Sequence, residues 1–159
     1  MSKSFFTSAL KLLIAAAVLC GTLVYVWVLP SLGNSIRIAV PSHSGCYYPW
    51  LIFLWLTSIP CYGAALSAWK IVRNIGQDHP FTFENARLLK QISLFALADA
   101  VFLLAGNILF LFLNMNHPSV LLCSLGISII GGVVWIICSG LSLLTQRAAQ
   151  LQEQSDLTI

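Results

Sequence analysis

Long apolar stretches dominate this sequence, and they leave few folds open. Four of them cover residues 12–30, 50–69, 92–113 and 120–144, parted by polar segments. At about 1.5 Å per residue, roughly twenty residues of helix cross the roughly 30 Å hydrocarbon core of a bilayer. In lipid every backbone N–H and C=O must find its partner inside the protein, so apolar segments of this length are read as helices. Composition agrees: 58% of residues are hydrophobic and only 8% charged, against roughly 25% charged in soluble domains. Too little polar material remains for a separate soluble domain. The predicted fold class is all-α, an integral membrane four-helix bundle forming one domain over residues 1–159.

The first apolar run follows Lys11 and is expected to end at Pro30. It is longer than the apolar core of a secretory leader, and no A-x-A site follows it, so an uncleaved span is expected. A lipoprotein reading of Cys20 is poor because bulky Leu19 precedes it. Residues 31–49 are expected to form a polar loop in which Ile36-Arg37-Ile38-Ala39-Val40 reads as a short strand or an interfacial stretch. Tyr47, Tyr48 and Trp50 suit the headgroup level. Pro60 lies inside the second span and predicts a kink, with Thr57 or Ser58 helping to satisfy the freed carbonyl.

The long polar loop 70–91 holds turn chemistry in Gly76-Gln77-Asp78-His79-Pro80. Thr82 follows as an N-cap, with Glu84 in the first turn where negative charge suits the helix dipole. The tail 145–159 is expected to begin as a helical extension. Basic residues set orientation. With an inside N-terminus, Lys3, Lys11, Lys70, Arg73, Arg87, Lys90 and Arg147 all lie on the cytoplasmic side, and only Arg37 lies outside. Both termini are therefore expected in the cytoplasm.

Asp99, inside the third span, is the sharpest single residue. An intramembrane carboxylate is costly and counts as a functional candidate by default. Two readings stand: a proton or cation site, or an anchor bonded to Ser, Tyr or Lys11 of another helix. Asn107, two turns on, reads as an interhelical hydrogen bond. In the fourth span Ser124, Ser128, Gly131, Ser139 and Ser142 make a small-residue stripe, with Gly132 and Gly140 beside it. The stripe suits packing within the bundle, or a homo-oligomer interface. Cys46 and Cys123 would both lie near the outer face, where a disulfide is possible. The histidines, His43, His79 and His117, cannot share one metal, and no nucleophile elbow, phosphate loop, dinucleotide fingerprint or CxxC occurs. Neither a cofactor nor a metal is expected, nor is enzyme activity.

Two segments carry motif-like sequence. Gly76 precedes Pro80-Phe81 and Glu84-Asn85-Ala86-Arg87-Leu88-Leu89-Lys90-Gln91-Ile92, and the chain ends Asp156-Leu157-Thr158-Ile159. Together these resemble the bacterial domain-of-unknown-function 2975 family, four-helix integral membrane proteins. The resemblance implies a multi-pass protein of the bacterial cytoplasmic (inner) membrane. It also implies a partner, since members are often encoded beside a small helix-turn-helix regulator. The expected function is thus non-enzymatic regulation or interaction with such a cytoplasmic protein, with no direct nucleic-acid contact. The expected surface comprises Arg73, Pro80, Phe81, Glu84, Asn85, Arg87, Asp156, Leu157, Thr158 and Ile159. The alternative is a small transporter or ion-conducting protein that uses Asp99.

Overall fold

A computed structural model describes residues 3–39, 45–77 and 81–156, with all their side chains except those of Lys3, Ser4, Ile36, Ala39 and Asp156. The described chain forms four helical rods. The first joins α1 (Lys3–Leu23), a π-helical turn (Val24–Val28) and α2 (Leu29–Ala39). The others are α3 (Tyr47–Gly76), α4 (Phe83–Phe112) and α5 (Pro118–Asp156). All four are long and apolar enough to cross a membrane. At 39 residues, α5 is about 58 Å long and overshoots the roughly 30 Å hydrocarbon core.

The first rod departs from the sequence expectation. Pro30 does not end it, and residues 36–39 belong to α2 rather than to a strand. The reason lies in the turn just before the proline. Leu29 N–H donates to Val24 O, five residues back. Pro30 has no N–H to offer the next carbonyl, Tyr25 O. Trp55 Nε1 of α3 donates to that oxygen at 3.0 Å. The indole supplies the donor the proline lacks, and the helix runs on.

Pro60 lies within α3 as expected. Thr57 Oγ1 donates to Leu54 O at 2.7 Å and Ser58 Oγ to Trp55 O at 2.6 Å. The carbonyl that a proline at 60 frees is that of Leu56, four residues back, so the two hydroxyls serve the turn before the break and not the freed group itself. At the start of α4, Thr82 caps as its sequence predicts: its backbone is extended and its hydroxyl accepts from Asn85 N at 3.2 Å.

Neighbouring rods are antiparallel and pack in chain order: α1 on α3, α3 on α4, α4 on α5, with the π turn and α2 also resting on α3. Among the described residues α5 does not pack on α1 or α3, so the bundle is open. Its interior is partly polar. The most completely buried side chains are Asn85, Asn107 and Ser93. Many apolar residues face outward, Leu12, Trp27, Ile59 and Phe112 among them, as expected where lipid takes the place of water.

Each seam has its own device. Between α1 and α3, Thr22 Oγ1 pairs with Tyr62 Oη at 2.8 Å. Between α3 and α4, aromatic rings fill the space over glycines: Phe95 lies on Gly63, and Phe53 on Gly106. Phe53 also meets Phe102 and Phe110, at centroid distances of 5.0 and 5.2 Å. Between α4 and α5 the small residues work. Gly131 lies against Ala100, Ser128 Oγ donates to Ala100 O at 3.0 Å, and Ser142 Oγ donates to Ala86 O at 2.6 Å. These members of the fourth-span stripe therefore pack inside their own chain. The stripe's neighbours Gly132 and Gly140 have open space beside them.

Candidate functional site

Three rods bring polar groups together midway along α3 and α4. Asp99 of α4 accepts a hydrogen bond from Cys61 Sγ of α3 at 3.5 Å. Tyr25, on the π turn, bonds Thr57 Oγ1 at 2.9 Å. The Thr57 proton is already given to Leu54 O, so the tyrosine hydroxyl is the donor. The two hydrogen-bonded pairs, Tyr25–Thr57 and Cys61–Asp99, lie one turn apart along α3. Among the described residues the other carboxyl oxygen, Asp99 Oδ1, is buried without a partner.

Such a group can hold a proton or accept from a small donor. The Asp99 partner is thus a cysteine thiol rather than the Ser, Tyr or Lys11 expected from sequence. Tyr25, Thr57 and Cys61 were not singled out as site residues by sequence. The one available signal is that Thr57 and Cys61, four apart, share a face of α3.

Asn107 is buried but does not bridge two transmembrane helices as expected. Its Nδ2 donates to Leu103 O of its own helix at 2.9 Å, and its Oδ1 accepts from Asn116 Nδ2 at 2.7 Å. It fastens the tight α4–α5 turn, where Asn114 takes the left-handed conformation at φ 53°. All five cysteines are free, Cys46 and Cys123 included.

At the other end of the bundle lie the last turns of α3, the first of α4 and the last of α5. Asn74 Nδ2 donates to Asn85 Oδ1 at 2.8 Å. Asn85 is 1% exposed, so it braces α3 against α4 and is not part of a contact surface. A partner can reach Arg73, Phe81, Glu84 and Arg87, all exposed. The α5 helix stays packed as far as Ala149, which is buried, and residues 150–155 are exposed. The backbone of Asp156 closes α5. Pro80, Leu157, Thr158 and Ile159, with His43 and His79, lie outside the described residues.

The family profile described as "Protein of unknown function (DUF2975)" matches residues 31–159. The chain belongs to the DUF2975 family. A relative, "Uncharacterized membrane protein YoaS" of Bacillus subtilis (strain 168), is 26% identical over 162 residues, covering 100% of this chain and 98% of its own length. No solved structure matches. The DUF2975 match begins just after Pro30. It takes in Thr57, Cys61 and Asp99 but leaves Tyr25 outside. The resemblance read from the central loop and the terminal tetrapeptide identified the same family, and four-span membrane architecture is what the helices show.

Proposed function

We propose that this protein is a non-enzymatic, multi-pass interaction protein of the bacterial inner membrane whose basic end docks a soluble cytoplasmic partner. A small helix-turn-helix regulator is the partner class. One observation carries the reading: at that end α3, α4 and α5 stay helical and braced beyond residues 69, 92 and 144, where the sequence expects the spans to end. Asn74–Asn85 locks α3 to α4, and Ser142 locks α5 to α4. A rigid platform results, bearing exposed Arg73, Phe81, Glu84 and Arg87 beside the exposed end of α5. Preorganised side chains lose less entropy on binding than side chains on a slack loop. The test uses a small helix-turn-helix regulator, taken from beside the gene, as bait against the full chain in detergent. Removal of residues 150–159, or Arg73→Glu with Glu84→Lys, is expected to reduce recovery at least tenfold. Unchanged recovery with both changes sinks the proposal.

A second reading has its own support in Asp99 Oδ1, which has no partner among the described residues: a small transporter or ion-conducting protein that uses Asp99. Asp99→Asn should then abolish proton flux in liposomes while the protein still folds. An unchanged flux removes this reading.

A further inference from the structure

The α3–α4 seam carries a groove of about 420 Å³ lined by Leu56, Ile59, Pro60, Phe95, Ala98 and Phe102. Every lining residue is apolar. It opens where Pro60 and Ala98 put little bulk into the seam, and Leu56, Ile59, Ala98 and Phe102 are exposed at it. From this groove the same pattern leads along both helices to a cation. On α3 it is Ile59, Leu66 and Lys70, and on α4 it is Ala98, Leu94 and Arg87, with intervals of seven and four in each. All six are exposed. Residues eleven apart lie three turns along one helix face, about 16 Å apart in height.

The two cations stand level. The pairs Asn74–Asn85 and Cys61–Asp99 set an antiparallel register between the helices. That register places Lys70 beside residue 89, so Lys70 and Arg87 differ in height by about 3 Å. Phe83, one turn before Arg87 and 47% exposed, supplies an aromatic ring one turn farther from the groove, as membrane interfaces favour.

We propose that this face binds an anionic phospholipid, with its phosphate between Lys70 and Arg87 and one acyl chain in the groove. The dimensions suit it. Half the hydrocarbon core is about 15 Å, so cations at headgroup level set the groove at mid-bilayer, where an acyl chain ends. The groove has no polar group for a soluble ligand. The cations select negative charge, and each basic residue near a membrane surface contributes about fivefold in binding. The inference does not rest on the partner-docking reading above.

The test takes the purified full chain, stripped of lipid in detergent, and titrates it with dioleoyl phosphatidylglycerol or dioleoyl phosphatidylcholine, read by native mass spectrometry. Phosphatidylglycerol should bind more tightly. Lys70→Gln with Arg87→Gln should weaken it roughly thirty-fold, to the phosphatidylcholine level. Lys70→Arg with Arg87→Lys should bind as wild type, as should Lys11→Gln with Arg37→Gln, which removes equal charge elsewhere. Ala98→Trp, which fills the groove, should weaken both lipids. Unchanged phosphatidylglycerol binding in the Lys70/Arg87 neutral pair overturns the proposal, and so does an equal loss in the Lys11/Arg37 pair. If Ala98→Trp binds normally, or glycerol 3-phosphate competes as well as the whole lipid, the site is a bare anion site and the acyl groove is refuted.

Discussion

Replacing Trp55 by Phe removes the indole donor that reaches Tyr25 O while keeping an aromatic ring in place. The carbonyl needs that donor because Leu29 N–H is spent on Val24 O and Pro30 has no N–H. Interhelical hydrogen bonds in membrane proteins average about 0.6 kcal/mol and reach about 1.7. Here a carbonyl would be stranded in lipid, so the hydrogen-bond loss belongs near the top of that range, about 1–2 kcal/mol. The change also trims the ring, which adds a packing loss of its own. Pro30→Ala separates the two effects, because it restores a backbone N–H at that position. That N–H can donate to Tyr25 O if the π turn persists. If the turn closes to an α-helix, Leu29 N–H takes Tyr25 O instead. Either way the carbonyl is satisfied without the indole, and Trp55→Phe should then lose only its packing cost. The double-mutant cycle should show a coupling of about 1 kcal/mol, a factor of about five in the folding equilibrium. The assay is reversible unfolding in mixed micelles followed by far-UV circular dichroism, which does not depend on Trp55 fluorescence. Equal cost of Trp55→Phe in both backgrounds would refute the account of how Pro30 is tolerated.

Three further changes follow from the packing, and one from the α4 cap. Gly106→Ala drives a methyl into the Phe53 ring; overpacking of about 1–3 kcal/mol exceeds the gain of up to about 1 from losing a helical glycine, so the same unfolding assay should show a net loss. Gly132→Ala, with nothing within 4 Å, should be neutral or stabilising. Asn85→Ala strands the Asn74 amide beneath the basic end and should cost about 1–3 kcal/mol, whereas Asn85→Asp keeps an acceptor for Asn74 and should cost less. Thr82→Ala removes the α4 cap and should cost about 1 kcal/mol, seen as faster hydrogen exchange at the Asn85 amide.

The spans were legible because hydropathy and length decide them without reference to neighbours. Thr82 was legible for a related reason: a cap bonds its own helix three residues on. What escaped depends on contacts remote in sequence. Pro30 reads as a terminator because the residue that neutralises it, Trp55, is 25 positions away. The stretch around Arg37 reads as strand-like from its alternation, yet α2 only continues a rod already formed. Asp99 was visible as an oddity, but its bond to Cys61 depends on the register between α3 and α4. Asn107 was correctly taken as hydrogen-bonded. Its partner lies in the next turn because that turn is short enough to fold back over the helix end. Asn85 looked like surface because its neighbours are charged, whereas the helix turns it inward onto Asn74.

Among the described residues each rod packs only on its chain neighbours, and this has a consequence for biogenesis. A closed bundle must wait for its last helix before its first can be finished. Here α3 has its partner α1 as soon as it leaves the translocon, α4 finds α3 waiting, and α5 finds α4. Every loop to be closed is short, so little entropy is lost at each step, and the order of assembly can follow the order of synthesis. Truncation from the C-terminus should therefore remove rods one at a time, leaving the earlier pairs intact in the membrane.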